Sequence, residues 1–170
     1  MKHILILIFL FNFVNPLQAN EWIKVRDLYE RAAIKEAAQI KLNNLLSEKP
    51  QSALSTGYKG ANLMVSAKYA FNPIKKLSRF NKGKDLMEQV LKRDPQSLVL
   101  RYIRFTIQTI LPGFLGYSAN VNNDKEFLIS KLGTIADVDL KNRIVAYLIS
   151  SKRCNESELK EVMIWKNKLS

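Results

Sequence analysis

The sequence predicts an all-α protein, a single domain of about seven antiparallel helices arranged as a helical-hairpin array or an irregular bundle. No segment shows the strict alternation of apolar and polar residues that is typical of a half-buried strand. Apolar residues recur instead at helical spacing, between boundaries such as Pro73 and Pro95. The links between these segments are short, and no long polar linker divides the chain.

Residues 1–19 have the pattern of a secretory signal peptide. A short basic start is followed by an apolar run over residues 4–14, and the segment ends at Ala19. The run is much shorter than the roughly 20 residues that a membrane-spanning helix needs. We therefore expect cleavage near Ala19, export to the periplasm or the exterior, and a soluble helical domain over residues 20–170. Asn20 stands where a lipoprotein would carry its lipid-bearing cysteine, so no lipid anchor is expected.

The residue content argues against most kinds of active site. His3 is the only histidine and would be lost with the signal peptide, and Cys154 is the only cysteine. The exported chain would then lack a Ser-His-Asp or Cys-His catalytic set, a histidine-based zinc site and an intrachain disulfide. We predict a protein without enzymatic activity, metal or cofactor. A hydrolase that uses two carboxylates is the remaining enzymatic alternative, with Asp124 and Glu126 as its formal candidates.

The chain is strongly basic, with a net charge of +12, or +11 once Lys2 is removed. Its densest basic stretch lies on the first half of the helix that starts at Pro73 and contains no acidic residue. This basic patch consists of Lys75, Lys76, Arg79, Lys82 and Lys84. It is either a solvated helix face or a surface that attracts anionic lipid headgroups, lipopolysaccharide or an acidic protein. Nucleic acid is not an expected partner of an exported protein.

Residues 22–50 match, in part, the helical pattern W-x2-L-G-x2-Y, then A-x3-F and a terminal proline. The matching positions are Trp22, Val25, Tyr29, Ala38, Leu42, Leu45 and Pro50, whereas Arg26 replaces the glycine. This segment therefore resembles a tetratricopeptide repeat. The next comparable proline, Pro95, lies farther away than the 34-residue period of such repeats. The pattern indicates either a degenerate helical-hairpin repeat or an ordinary pair of amphipathic helices.

The remaining helices are placed by apolar periodicity and by capping residues. After residues 22–50, periodic segments are expected over residues 51–71, 72–93 and 98–111, and three further helices follow. The predicted capping positions are Asn72 with Pro73 and Asn155 with Glu158, and a further helix is expected to begin at Asp137 and Asp139.

The segment 98–111 is apolar around nearly its whole circumference, which predicts a central helix packed on several sides. Its polar exceptions, Arg101, Arg104 and Gln108, are spaced i, i+3 and i+7 and share one stripe. Two interpretations are open. The arginines either pair with acidic residues of neighbouring segments, such as Asp124, or face a groove and bind an anion.

The loop after this helix is unusually apolar. Pro112 and Gly113 end the helix, and Phe114, Leu115 and Tyr117 follow. Large exposed apolar patches are uncommon on monomers, so these side chains either fold back on the core or wait for a partner.

Beyond the loop, Asn123 is predicted to be the N-cap of the next helix. Glu126 would then occupy the third helical position, in a variant of the capping box. Asp124 would lie in the first turn, where a negative charge is favourable.

Four short motifs stand out in this central stretch. They are Arg-Tyr-Ile-Arg-Phe at 101–105, Gln108, Pro-x-Phe-Leu-Gly-Tyr at 112–117, and Asp-Lys-Glu-Phe-Leu at 124–128. In these motifs the chain resembles an uncharacterised family of small exported helical proteins from Gram-negative bacteria. The resemblance covers about the middle third of the chain. It implies a helical fold and an exported location, and it implies no activity.

The leading functional hypothesis is a protein- or peptide-interaction module with a basic groove, because helical-hairpin arrays present concave binding surfaces. Its expected partner is another envelope protein or a peptide. The second hypothesis is a cationic protein that binds an anionic membrane surface through the basic patch. The oligomeric state stays open. The predicted binding residues of the groove are Arg101, Arg104, Gln108, Phe114, Tyr117, Asp124 and Lys125.

Overall fold

The computed structural model describes residues 16–169, with side chains from Asn20 onward. Eight α-helices cover most of this range, and no strand occurs within it, which confirms the predicted all-α fold. Single turns of 3-10 helix lie at 67–69, 113–115 and 132–134. The helices are α1 (Pro16–Ala32), α2 (Glu36–Ser47), α3 (Ala53–Ser66), α4 (Pro73–Arg93), α5 (Leu98–Ile110), α6 (Val121–Lys131), α7 (Val138–Ser150) and α8 (Glu156–Leu169).

Consecutive helices pack as hairpins, α1 with α2, α3 with α4, α5 with α6, and α7 with α8. The α3–α4 contact is the closest, because Gly60 and Gly83 face each other across it. A Cβ atom added to Gly60 would lie 2.7 Å from the carbonyl oxygen of Gly83. Backbone therefore packs directly on backbone, and α3 is free to contact α2 and α5 on its other sides.

The hydrophobic core is divided into two clusters, and α5 contributes to both. Leu100, Ile103 and Ile107 belong to the first cluster, together with residues of α1 to α4. Tyr102 and Phe105 belong to the second cluster, together with residues of α6, α7 and α8. The prediction of a central helix packed on several sides is thereby confirmed.

Helix starts are found where the capping residues predict them, with one exception. The Asn72 side chain accepts hydrogen bonds from the backbone N–H groups of Ile74 (2.8 Å) and Lys75 (3.2 Å), and Pro73 is the first residue of α4. Asp137 caps α7. Asn155 and Glu158 bond reciprocally at the start of α8, over 2.9 and 2.8 Å.

The exception is Asn123, whose predicted role as an N-cap is wrong. Helix α6 begins at Val121, so Asn123 is its third residue, and its side chain accepts a hydrogen bond from Arg101 Nη1 at 3.1 Å. The first turn closes earlier, through a 2.8 Å bond from the Asp124 N–H to the carbonyl of Asn120. This register still places Asp124 in the first turn, as predicted, and turns its carboxylate towards α5.

An ion-pair cluster joins α1 to α7. Arg26 contacts Asp137 and Asp139, both at 2.5 Å, from a side chain that is almost fully buried. Burial raises the pKa of Asp139, but hydrogen bonds from Arg143 and Arg26 outweigh this effect and lower the pKa below its ordinary value. Arg26 is the residue that replaces the glycine of the repeat pattern. Its charge holds the first helix to the seventh, a role that a tetratricopeptide glycine does not have.

The predicted signal peptide, residues 1–19, lies largely outside the described residues, and α1 runs through Ala19. Within residues 16–169, none of the helices combines the length and the apolar character required to cross a bilayer.

The α3–α4 contact gives a prediction for stability. Gly83→Ala places a methyl group against the backbone of Gly60 and Met64, so the helices have to move apart. We expect the free energy of unfolding to fall by about 1–3 kcal/mol, as for other overpacked core sites. Gly113→Ala is the matched control, since a Cβ atom there meets no atom within 4 Å. Chemical denaturation of both variants measures the difference, and equal stability would show that the contact is not as tight as described.

Candidate functional site

Arg104 forms a buried ion pair with Asp124. Its Nε and Nη2 atoms donate to the two carboxylate oxygens at 2.7 and 2.9 Å, and Asp124 is 0% exposed. A third bond, from Nη1 to Glu88 Oε2, measures 2.9 Å. Burial works against the charge of the guanidinium, but Asp124 and Glu88 raise its pKa above the ordinary value. Arg104 therefore pairs internally, in agreement with the first of the two interpretations above.

Arg101 is also engaged by neighbouring groups. Its Nε atom donates to the carbonyl of Pro95 at 2.7 Å, and Nη1 lies 3.5 Å from Asp124 Oδ1. The guanidinium stacks on Phe127, 4.1 Å from the centre of the ring. Both arginines of the stripe thus join α5 to α6.

Three other predicted binding residues are buried in the same region. The Tyr117 hydroxyl donates to Glu88 Oε1 at 2.5 Å, and Lys125 donates to Glu158 Oε2 at 2.8 Å. The Gln108 side chain is buried, and its amide has no hydrogen-bond partner among residues 16–169. The structure therefore buries all three residues, and at Tyr117 and Lys125 a ligand would first have to displace existing contacts.

In the apolar loop after α5, one large side chain folds back on the core and another is exposed. Tyr117 folds back on the first core cluster and contacts Phe80 edge to face, with 6.1 Å between ring centres. Phe114 points outward and is 86% exposed. It is the only one of the seven predicted binding residues that is exposed.

Asp124 and Glu126 do not form a catalytic pair in this arrangement. Both oxygens of Asp124 accept hydrogen bonds from Arg104, while Glu126 is exposed. Residues two apart on a helix do not face each other, so the two carboxylates cannot act on one substrate from opposite sides.

Phe114 lies at the edge of an apolar groove of about 600 Å³. We call it the α4 groove, because four of its lining residues are on that helix. Its buried lining includes Phe80, Met64 and Ile107, and its exposed lining includes Leu77 and Ile110. The remaining lining residues are Ala33, Val65, Ala67, Lys68, Pro73, Lys76, Leu111 and Leu115. A volume of this size is within the usual range of small-molecule sites.

Two further apolar side chains project into solvent beside this groove. Phe71, two residues before Pro73, is fully exposed, and Ile74 is 79% exposed. We call these two residues the apolar tip. Neither lines the groove, yet both are joined by the chain to residues that do.

The groove lies in a region of the chain that carries no negative charge. Residues 49–84 and 95–123 contain no aspartate or glutamate, and they supply every lining residue except Ala33. Lys68 and Lys76 are the charged lining residues. The Lys68 ammonium donates to the carbonyl of Ala33 at 2.9 Å, whereas the Lys76 ammonium has no hydrogen bond or ion pair within the described part of the chain.

The basic patch does not form one uniform surface. Lys75, Arg79 and Lys82 are spaced i, i+4 and i+7 and share a face of α4, while Lys76 turns towards the groove. Arg79 donates to the carbonyl of Ser66 at 3.0 Å. The three exposed lysines of the patch are Lys75, Lys76 and Lys82.

No protein-family model matches this chain, and neither the curated proteins nor the solved structures compared with it gave a significant match. The all-helical fold is what the structure itself shows. The resemblances to an exported family and to tetratricopeptide repeats rest on sequence pattern alone.

The α4 groove was not foreseen, although two signals in the sequence point towards it. Phe71 and Ile74 flank the helix start at Asn72 and Pro73, where apolar side chains have no core to enter. The absence of acidic residues between Lys49 and Lys84 is the second signal. Neither signal predicts a groove by itself, because the groove forms only where α5 packs beside α4.

The buried ion pair gives a second prediction. Arg104→Ala leaves the Asp124 carboxylate buried without its main partner, and we expect a loss of about 3–5 kcal/mol in unfolding free energy. Arg93→Ala, at an exposed position near the end of α4, is expected to change stability by no more than about 0.5 kcal/mol. Urea denaturation measures both variants. A small effect of Arg104→Ala would mean that Asp124 finds solvent or another cation.

Proposed function

We propose that this protein is a non-enzymatic binder of anionic membrane surfaces, which docks through the apolar tip and the mouth of the α4 groove. The observation that carries the proposal is the exposure of Phe71, Ile74 and Phe114, which lie in stretches of the sequence that contain basic residues and no acidic residue. Aromatic and aliphatic side chains enter the boundary between headgroups and acyl chains, while lysines remain at the level of the headgroups.

The energetics of this arrangement suit reversible binding. Burying a large apolar side chain contributes about 1.5–3 kcal/mol, and each lysine near an anionic surface adds about 1 kcal/mol. Phe71 and Ile74 would supply the first contribution, and Lys75 with Lys76 the second. The two lysines then contribute about 2 kcal/mol, or roughly 30-fold in binding, so neutral membranes are expected to bind more weakly.

The alternative of a peptide-binding groove at Arg101 and Arg104 finds less support in the geometry. Both side chains are already bonded to neighbouring residues, and an incoming carboxylate would compete with Asp124 and Asn123. The interaction module stays a prediction. Phe114 is its one exposed predicted residue, and this residue also belongs to the surface proposed here.

We also propose that the chain is exported and loses residues 1–19. The support is the basic start, the apolar run over residues 4–14 and the small residue at Ala19. Expression in a Gram-negative host, fractionation and N-terminal sequencing test this. We expect Asn20 as the first residue of a protein in the periplasm or the medium. A cytoplasmic protein that retains Met1 would contradict this part of the proposal.

Vesicle co-sedimentation tests membrane binding. We expect the protein to bind vesicles made of equal parts phosphatidylglycerol and phosphatidylcholine, and to bind vesicles of phosphatidylcholine alone much more weakly. Added salt should release it, because charge attraction is screened. The double variant Phe71→Ser/Ile74→Ser should lose roughly 3 kcal/mol, or about 100-fold in partitioning.

The matched control is Val138→Ser/Ile164→Ser, which removes two apolar side chains that are exposed elsewhere, on α7 and α8. It should bind vesicles as the wild type does. Equal binding by the Phe71→Ser/Ile74→Ser variant would contradict the proposed docking surface. No binding by the wild type at low salt would contradict membrane docking altogether and would leave an acidic protein segment as the partner of this face.

A further inference from the structure

We infer that the α4 groove binds the hydrocarbon chain of a long-chain fatty acid, with the carboxylate held at Lys68 and Lys76. This inference rests on the proposed function in one respect, since docking at a membrane brings the groove to the place where fatty acids partition. It adds a ligand and a binding mode that surface docking does not require.

The first argument concerns the hydrogen-bond partners that the groove lining can offer to a ligand. Apart from Lys68 and Lys76, every residue that lines the groove has an apolar side chain. A peptide in this groove would bury backbone N–H and C=O groups, each of which costs free energy when it finds no partner. A hydrocarbon chain has no polar group along its length, so its burial in the same groove carries no such cost.

The second argument concerns the charged end. The Lys76 ammonium has no hydrogen bond or ion pair within residues 16–169, and the Lys68 ammonium donates only to a backbone carbonyl and lies over the Tyr69 ring. No acidic side chain lines the groove to compete for them. Two ammonium groups that line one groove without an acidic residue attract an anion, and each of them can donate a hydrogen bond to a carboxylate.

The third argument concerns length. Ala33, Val65, Ile107 and Ile110 line the α4 groove and also a neighbouring cleft of about 490 Å³ between α1, α5 and α7. The α4 groove and this cleft therefore share four apolar lining residues. In the proposed binding mode the hydrocarbon runs from Lys76 along these shared residues, which suits a long chain better than a short one.

The fourth argument concerns rigidity. Phe80, in the buried lining of the groove, contacts the ring of Tyr117, whose hydroxyl is bonded to Glu88. Glu88 in turn accepts from Arg104, which is fixed by Asp124. The groove is thus supported from behind by the buried ion-pair network, and a site that is formed before the ligand arrives loses less free energy to ordering.

Titration with cis-parinaric acid, a fluorescent fatty acid, tests the inference on the full chain. We expect saturable binding to the wild type. Ala67→Phe, which fills the groove, should abolish binding, and Ala136→Phe, at an exposed position outside the groove, should not. Lys76→Glu should weaken binding on the order of tenfold, whereas Lys84→Glu, on the same helix but outside the lining, should have little effect.

Thermal unfolding first establishes that each variant is folded. If Ala67→Phe does not fold, the binding of parinarate by Lys76→Glu tests the inference. Absence of saturable binding by the wild type, or binding that both groove variants leave unchanged, would overturn the inference. Competition by methyl oleate as strong as that by oleate would overturn the role of the lysine pair.

The outcomes separate this inference from membrane docking. The Phe71→Ser/Ile74→Ser variant should lose vesicle binding and keep parinarate binding, because neither residue lines the groove. Parinarate binding without vesicle binding by the wild type would contradict membrane docking alone. Vesicle binding without parinarate binding would overturn the fatty-acid site alone.

Discussion

The burial of the middle of α5, residues 102–108, is the constraint on which the rest of the structure depends. This part of the helix packs on two core clusters and has no solvent-facing side on which to place a charge, yet Arg104 lies within it. An unpaired buried guanidinium would be costly, so a carboxylate has to come to it. Asp124 does so from the first turn of α6, and Glu88 approaches from α4. The ion pair thereby fixes how three helices meet.

The same constraint explains how much of the fold was predictable. The apolar circumference of residues 98–111 is enough to predict a central helix, and Asn72, Asp137 and Asn155 mark helix starts by local chemistry. Asn123 misled because three asparagines fall within residues 120–123, and each can cap a helix. The register was decided by the distant contact between Asp124 and Arg104, which no local pattern contains.

The candidate site was less predictable than the fold, for a related reason. The lining of the α4 groove comes mainly from α3, α4, α5 and two 3-10 turns, and most of its apolar residues look like ordinary core residues in their own segments. Arg101 and Arg104 were predicted as binding residues because charged side chains are unusual on an apolar helix. The sequence is compatible both with internal ion pairs and with binding of an external anion. Which of the two holds depends on which helix packs beside α5.

Folding does not require the exposed phenylalanine at position 71. Asn72 and Pro73 already start α4, with both cap bonds in place, and Ala70 fills the adjacent buried position. A polar residue at 71 would satisfy the same backbone. The side chain makes no contribution to either core cluster, and its hydrophobic surface is unfavourable in water. Phe71, Ile74 and Phe114 are thus exposed apolar side chains in stretches of the chain without acidic residues, and these are the side chains that the proposed anionic membrane would bury.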